Sequence, residues 1–234
     1  MEQKSYFIED NIIETLKVIQ GKSPILLVGL TGGIASGKSV VAHMLEEMGA
    51  YAVDFDILAR RVVEPERPAW KKIVDYFGND ILQNNGGIDR KRLSEIIFGN
   101  SEKRKKLEGF TYPLIAGEFI RQVDEIASND PDAIIQAVVP LLVEAGMQAL
   151  FHKIVVVYIP REKQIKRLME RDGISKKHAI NILNSQMHID EKIGWADFVI
   201  NNENSIEETK KQVHDLWDKL RDLQKAIVLK KQTS

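Results

Sequence analysis

Short apolar runs alternate along this chain with stretches whose apolar residues recur every three or four positions. The runs predict β-strands, and the longer periodic stretches predict amphipathic helices. Two of the runs contain almost no polar residue, which is typical of strands that helices cover on both faces. Alternating strands and helices predict an α/β fold with a parallel sheet. The five predicted strands span about residues 25–30, 50–54, 133–139, 153–159 and 197–201.

Helical periodicity also divides the chain into segments. Residues 1–20 carry apolar side chains at helical spacing ahead of the first strand, and we predict that they form an N-terminal helical extension. Residues 24–230 are predicted to be one domain. Within it, a mostly helical stretch of about residues 57–130 separates the second strand from the third and is predicted to be an inserted subdomain. In that stretch, Pro113 predicts the first turn of a helix that ends near residue 127.

Composition and charge exclude several classes of protein. The 234 residues carry a net charge of −1, which excludes a globally basic nucleic-acid binder. The chain contains no cysteine, so disulfides, thiolate metal sites and cysteine nucleophiles are excluded. No apolar run is long enough to span a membrane, and the N-terminus lacks the basic start and apolar centre of a signal peptide. We therefore expect a cytoplasmic protein, monomeric or weakly homo-oligomeric, without nucleic-acid or membrane partners.

The loop after the first predicted strand carries a phosphate-binding motif. Gly32, Gly37, Lys38 and Ser39 match the P-loop pattern G-x-x-x-x-G-K-[ST], and an amphipathic helix follows them. Glycines let the backbone curl around a phosphate, and the following N–H groups and helix N-terminus face the anion. In this pattern the lysine reaches the β- and γ-phosphates, and the serine hydroxyl binds Mg²⁺. The predicted nucleotide site comprises Gly33, Ile34, Ala35, Ser36, Gly37, Lys38, Ser39 and Val40.

Two carboxylates follow the second predicted strand. Ligands of a parallel sheet bind at the carboxyl ends of its strands, so Asp54 and Asp56 are expected to face the same crevice as the loop. A carboxylate there could orient or deprotonate a hydroxyl that attacks the γ-phosphate. The alternatives are a helix N-cap and an indirect contact with Mg²⁺. We favour the base for Asp56 and a supporting role for Asp54.

The helix predicted after the fourth strand is rich in basic residues. Arg167 and Arg171 are four residues apart and therefore lie on one face of this helix. Two guanidinium groups on a mobile segment could close over a triphosphate and neutralise charge during transfer. A solvated basic face that pairs with Glu170 and Asp172 fits the same spacing equally well.

Five sequence blocks together resemble the dephospho-coenzyme A (dephospho-CoA) kinase family. The resemblance implies a P-loop kinase core with helices on both faces of a parallel sheet, an inserted helical subdomain and a helical lid of about residues 161–192. It also implies that ATP, with Mg²⁺, phosphorylates the ribose 3′-hydroxyl of dephospho-CoA. The blocks follow the family's order and spacing, and they span residues 30–39, 54–60, 138–144, 164–172 and 196–202.

The resemblance also assigns roles to single residues. Asp56 takes the role of the catalytic base, Arg167 is the lid arginine with Arg171 as its partner, and Lys38 assists transfer. Ala35 stands where the family usually has glycine, so we expect either a negative φ or tolerance of a methyl group there. Lys192 stands where an arginine is usual, so bidentate phosphate binding is expected to be lost. The residues expected to contact the acceptor are Asp54, Asp56, Arg60, Pro140 and Leu141.

Two other functions remain open at this stage. A nucleoside monophosphate kinase would also need a P-loop and lid arginines, but not the pair Asp54 and Asp56 in this context. A nucleotide-switched binding protein would need a guanine-reading Asn-Lys-x-Asp stretch. Residues 201–204 read Asn-Asn-Glu-Asn and lack both the Lys and the Asp.

Overall fold

Five parallel strands form one sheet in the part of the chain that the structure, a computed structural model, describes: residues 10–233. The strand order is β2-β3-β1-β4-β5, and every neighbouring pair is parallel. The predicted α/β fold with a parallel sheet is therefore confirmed. The strands are β1 (Leu26–Gly32), β2 (Tyr51–Asp54), β3 (Ile134–Val138), β4 (Lys153–Tyr158) and β5 (Phe198–Asn201).

Helices connect and cover these strands. Asp89, Ser175 and Ser205 each accept a hydrogen bond from the backbone N–H three residues later, so their side chains cap three of the helices. Residues 1–9 of the predicted N-terminal extension lie outside the described residues. The helices are α1 (Asp10–Lys22), α2 (Lys38–Glu47), α3 (Phe55–Arg61), α4 (Pro68–Phe77), α5 (Arg90–Ile97), α6 (Ser101–Asn129), α7 (Arg161–Asp172), α8 (Lys176–Asn184), α9 (Ile189–Ile193) and α10 (Ile206–Gln232).

The core has one layer on each face of the sheet, because successive strand residues point to opposite sides. Leu27 belongs to the layer that includes Phe119 of α6 and Leu16 of α1. Its neighbour Val28 belongs to the opposite layer, with α2 and with Leu216 of α10. Burial of each such side chain stabilises the fold by about 1.5–3 kcal/mol. The N-terminal helix α1 therefore extends the core.

One long helix, α6, replaces the shorter helix predicted from Pro113. It runs without interruption from Ser101 to Asn129, so the prediction that Pro113 begins a helix is wrong. Proline has no N–H and loses one helical hydrogen bond. The helix continues past it because Ala116 and Phe119 are buried in the core. No helix within residues 10–233 combines the length and the apolar character that a membrane crossing requires.

Candidate active site

A cavity of about 870 Å³ opens at the carboxyl ends of the strands. The P-loop that follows β1 lines one side of it, and Asp56 lines it from the start of α3. Pro140 and Leu141, just after β3, form another side. Arg167 and Arg171 reach it from α7. Segments that are far apart in sequence thus meet at the edge where parallel sheets bind ligands.

The P-loop is held in place by side chains from two other parts of the chain. Asn202, just after β5, donates a hydrogen bond to the carbonyl of Ser36 at 2.8 Å. Gly37 has a φ of +91°, and a Cβ there would collide with the Asn202 amide. A Cβ at Gly33 would likewise collide with the side chain of Gln164, from α7. These glycines are needed because neighbouring side chains pack directly against the loop backbone.

Ala35 has a left-handed backbone conformation, with a φ of +57°. The expectation of a negative φ at this position is therefore wrong. This conformation costs an L-residue roughly 1–2 kcal/mol. Ala35 packs against the apolar cluster of Leu168, Ala179 and Leu183 on α7 and α8, so the methyl group is accommodated. Tertiary packing has overridden the local backbone preference.

The Lys38 side chain contacts the backbone of its own loop. Its Nζ donates hydrogen bonds to the carbonyls of Gly32 at 2.9 Å and Gly33 at 3.1 Å. Burial lowers the pKa of Lys38 to about 8, and the nearby charge of Lys192 acts in the same direction. A phosphate placed beside this ammonium would favour its charged form.

Asp54 and Asp56 occupy different environments. Oδ1 of Asp54 accepts hydrogen bonds from the backbone N–H groups of Asp56 at 2.7 Å and Ile57 at 3.3 Å, so Asp54 is the N-cap of α3. Its side chain lines a separate, smaller recess that it shares with Ser39. Asp56 lines the main cavity, and its pKa is raised by partial burial and then by the negative charge of Asp54. A raised pKa makes a carboxylate a stronger base.

The two arginines of α7 differ in their partners. Arg167 donates a hydrogen bond to the carbonyl of Asn202 at 2.9 Å. Arg171 pairs with the carboxylate of Asp172 through two contacts of 2.7 and 2.9 Å. The Arg171 pair is exposed, and such pairs contribute about 0–1 kcal/mol. Arg171 could therefore exchange this partner for a phosphate at little cost.

The remaining acceptor-contact predictions divide into two groups. Pro140 and Leu141 line the cavity, and Leu141 is a large apolar side chain left 45% exposed. Arg60 does not line the cavity. Its positive charge acts on Asp56 from a distance and lowers the pKa of the Asp56 carboxyl. The wall that continues from Leu141 is mostly apolar and comprises Phe55, Ala59, Tyr112, Ile115, Val139, Ala145 and Met147.

The residues around Ser39 have the donor atoms that Mg²⁺ prefers. Ser39 lines both the main cavity and the recess of Asp54, so a hydroxyl and a carboxylate lie near the phosphate end. Mg²⁺ favours such oxygen ligands and usually takes the rest from water and substrate phosphates. Residues 10–233 contain no cluster of three or more His, Asp or Glu side chains that could hold a metal.

Similarity to known proteins covers most of the chain. The sequence profile described as dephospho-CoA kinase matches residues 26–208. This chain belongs to the dephospho-CoA kinase family. It is 45% identical to the dephospho-CoA kinase of Syntrophus aciditrophicus (strain SB) over 199 residues, and this alignment covers 85% of each chain. It is 44% identical to the dephospho-CoA kinase of Carboxydothermus hydrogenoformans over 193 residues, and this alignment covers 82% of this chain and 93% of the relative.

A solved structure extends the similarity to three dimensions. The dephospho-CoA kinase from Campylobacter jejuni superposes with a TM-score of 0.65 and 30% identity, covering 85% of this chain and 98% of that one. The family assignment made from the five sequence blocks is confirmed, and so is the P-loop kinase fold. A kinase of this family uses a nucleotide as phosphoryl donor, which agrees with the P-loop.

The sequence did not predict several polar residues around the site of this dephospho-CoA kinase family member. Gln164 and Asn202 hold the loop, and Gln186 contacts it. Glu144 lies behind the cavity wall, where it pairs with Lys192. Except for Gln186 and Lys192, they lie inside the sequence blocks that resemble the family. For Gln164, Asn202 and Glu144, their place within these blocks was the signal that could have found them.

The structure shows where Lys192 lies. This side chain is fully buried, and it does not line the cavity. Its Nζ donates to Oε1 of Glu144 at 2.8 Å and to the carbonyl of Pro140 at 3.1 Å. Lys192 is therefore paired with a carboxylate beneath the cavity wall, and its charge still acts on Lys38, whose pKa it helps to lower.

Removal of Lys192 should destabilise the fold. Lys192→Ala leaves Glu144 without its cation, and breaking a buried pair typically costs ~3–5 kcal/mol. Because Glu144 is 21% exposed, we expect a loss of about 2–3 kcal/mol in the free energy of unfolding, measured with urea. Lys166→Ala is the control, since Lys166 forms an exposed pair and should change stability by less than about 0.5 kcal/mol. Equal losses in the two variants would contradict this account of the pair.

Proposed function

We propose that this chain transfers the γ-phosphoryl group of ATP to the ribose 3′-hydroxyl of dephospho-CoA, which yields coenzyme A. The observation that carries the proposal is that Lys38 of the P-loop and Asp56 line the same cavity. One end of that cavity suits phosphates, and the other end has an apolar wall suited to a large acceptor. Family membership supplies the identity of the acceptor.

Donor binding uses the loop and the start of α2. The loop N–H groups face the phosphates, and Lys38 exchanges its bonds to the Gly32 and Gly33 carbonyls for bonds to phosphate oxygens. Mg²⁺, when bound with ATP, would be held at the Ser39 hydroxyl and would offset the negative charge of the phosphates. The lysine is pre-positioned, because its ammonium already lies within the loop that receives the nucleotide.

Acceptor activation is the role we assign to Asp56. The 3′-hydroxyl oxygen forms a bond to the γ-phosphorus as the bond from that phosphorus to the β–γ bridging oxygen breaks, and ADP leaves. The hydroxyl proton passes to the carboxylate of Asp56 and then to solvent. The raised pKa of Asp56 suits this task, because the carboxylate is a stronger base than an ordinary aspartate. Asp54 supports it by capping α3, which fixes the position of Asp56.

Two segments complete this proposal. The predicted insertion of about residues 57–130, which comprises most of α3 and all of α4 to α6, holds the acceptor. The predicted lid of about residues 161–192, which comprises α7, α8 and most of α9, brings Arg167 and Arg171 over the transferring group. We also propose that the enzyme works in the cytoplasm as a monomer or weak homo-oligomer.

Arg167 should act mainly in the transition state. Phosphoryl transfer spreads negative charge over the equatorial oxygens, and a guanidinium contacts two of them where an ammonium contacts one. Arg167→Lys should therefore lower kcat by roughly tenfold to a hundredfold and change the KM for ATP by much less. Steady-state kinetics measures both quantities. Arg161→Lys is the control, because Arg161 bonds to Asn184 and does not line the cavity.

The opposite kinetic pattern would contradict this role for Arg167. A higher KM for ATP with unchanged kcat would mean that Arg167 binds substrate and transition state equally. Equal losses in Arg167→Lys and Arg161→Lys would mean that any change of arginine on α7 disturbs the lid.

The acceptor is tested directly with a panel of compounds. The purified chain is incubated with ATP, Mg²⁺ and either dephospho-CoA, AMP, CMP or UMP, and both ADP and phosphorylated product are measured. We expect product with dephospho-CoA alone. Transfer to a nucleoside monophosphate would favour the alternative kinase function, and ATP hydrolysis without transfer to any acceptor would favour a nucleotide-switched binding protein.

A further inference from the structure

Gln186, between α8 and α9, contacts the P-loop from the lid side. Its Oε1 accepts a hydrogen bond from the backbone N–H of Ile34 at 3.3 Å, and the residue lines the main cavity. An N–H group can only donate, so this contact fixes which end of the carboxamide is oxygen. The Nε2 group is thereby directed away from the loop, and it has no hydrogen-bond partner within residues 10–233.

Gln164 also bonds to Ile34, but its role there is structural. Its Nε2 donates to the carbonyl of Ile34 at 3.0 Å, and the side chain is only 3% exposed. Gln164 is buried beneath the loop, with its donor group already used. Gln186 is only half-buried at the cavity wall, and its donor group has no partner among the described residues. The two glutamines therefore bond to the same residue, one to its N–H and one to its carbonyl, but differ in what they can offer a ligand.

The backbone beside Gln186 is fixed by the buried pair described above. The N–H of Met187 donates to Oε1 of Glu144 at 3.1 Å, the same oxygen that accepts from Lys192. The carbonyl of Pro140 also accepts from Lys192, which ties this junction to the cavity wall. The residue next to Gln186 is thus bonded to the cavity wall through Glu144 and Lys192, which helps to position Gln186.

The position of Lys38 identifies the phosphate that Gln186 would meet. In a P-loop the lysine reaches the β- and γ-phosphates, and here its Nζ lies on the carbonyls of Gly32 and Gly33. The beginning of the loop is therefore the end nearer the γ-phosphate, and Ile34 is the next residue. Asp56 lines the same cavity, as the acceptor side of the γ-phosphate requires.

We propose that Gln186 is a further catalytic residue, whose Nε2 donates a hydrogen bond to a non-bridging oxygen of the γ-phosphoryl group of ATP. Its Oε1 remains on the N–H of Ile34, so the donor is aimed before the nucleotide arrives. Preorganised donors of this kind stabilise the charge that develops during transfer without reorganisation. The proposal rests on the proposed function only in requiring ATP as donor.

Gln186→Glu separates this role from a structural one. The carboxylate still accepts from Ile34, but a negatively charged oxygen replaces the donor that faces the phosphate. Binding of ADP and of the non-hydrolysable analogue AMP-PNP, both with Mg²⁺, is measured by calorimetry. We expect the affinity for AMP-PNP to fall roughly tenfold or more, while the affinity for ADP, which lacks the γ-phosphate, changes by less than about threefold. Gln186→Met, which lacks both polar groups, should lower the AMP-PNP to ADP affinity ratio about threefold.

Gln164, the other glutamine that bonds to Ile34, provides a control for these variants. Gln164→Met removes the hydrogen bond to the Ile34 carbonyl and should weaken the binding of ADP and of AMP-PNP by similar factors. The reason is that this change disturbs the loop and not the γ-phosphate contact. If Gln186→Glu also weakens both nucleotides equally, or weakens neither, the proposal is overturned. These measurements contain no acceptor, so their failure is distinguishable from a failure of the acceptor assignment.

Discussion

Lys38→Ala should lower kcat by roughly a hundredfold to a thousandfold while the fold remains intact. The Lys38 ammonium is expected to contact the β- and γ-phosphates and to stabilise the negative charge that develops between them during transfer. Removal of one such stabilising group has an effect of this size. Its contacts in the free protein are with loop carbonyls, which water can replace. Single-turnover kinetics, with circular dichroism to confirm folding, measures the effect.

The stability of Lys38→Ala adds an independent check with a definite sign. The pKa of Lys38 is about 8 in the folded protein, against an ordinary value of 10.5. Between these values the unfolded chain binds a proton that the folded chain has released, so this lysine makes stability rise with pH. Below pH 8 its buried charge opposes folding. Lys38→Ala should therefore be at least as stable as the wild type at pH 7, and the difference should diminish toward pH 10.

The kinetic result that would overturn the role of Lys38 is near-normal turnover in a folded Lys38→Ala protein. Lys166→Ala serves as the matched control, because its ammonium is exposed on α7 and pairs with Glu170. It should retain wild-type turnover.

Asp56→Asn should slow phosphoryl transfer by about 10²–10⁴-fold, equivalent to roughly 3–5 kcal/mol of activation free energy. The amide keeps the size of the side chain and part of its hydrogen bonding, but it cannot accept the proton of the 3′-hydroxyl. ATP binding should be almost unchanged, and dephospho-CoA should bind modestly less well. Single-turnover rates at saturating substrates isolate the chemical step from binding.

The pH dependence of the same reaction tests the assignment further. The pKa of Asp56 is raised by burial and by Asp54, so activity should fall with acidification at a higher pH than an ordinary aspartate would give. That acidic decline should disappear in Asp56→Asn. Asp54→Asn is the control, because asparagine caps helices as well as aspartate does, and it should slow transfer far less. A rate for Asp56→Asn within about tenfold of wild type would make Asp56 a positioning residue.

The features that the sequence predicted are those encoded locally. The P-loop occupies consecutive residues, and the alternation of apolar runs with helical periods is enough to predict the parallel sheet. The caps at Asp89, Ser175 and Ser205 are equally local, because each involves a partner only three residues away. Where the residues that interact are neighbours, composition and spacing carry the information.

The features that it missed depend on contacts between distant segments. Asn202 supports Ser36 across 166 positions, and Gln186 contacts Ile34 across 152. No periodicity signals such pairs. The positive φ of Ala35 accompanies its packing against α7 and α8, and helix α6 continues through Pro113 because its second half is buried. In both cases tertiary contacts outweigh a local preference of about 1–3 kcal/mol.

The position of the transferred phosphate tests the central claim most directly. Dephospho-CoA and ATP are converted by the purified chain, and the product is examined by phosphorus NMR with coupling to the ribose protons. The account predicts one new phosphate monoester, coupled to the 3′ proton of the ribose and formed in equal amount to ADP. A phosphate at another position of the acceptor, or ADP formed without any phosphorylated acceptor, would contradict it.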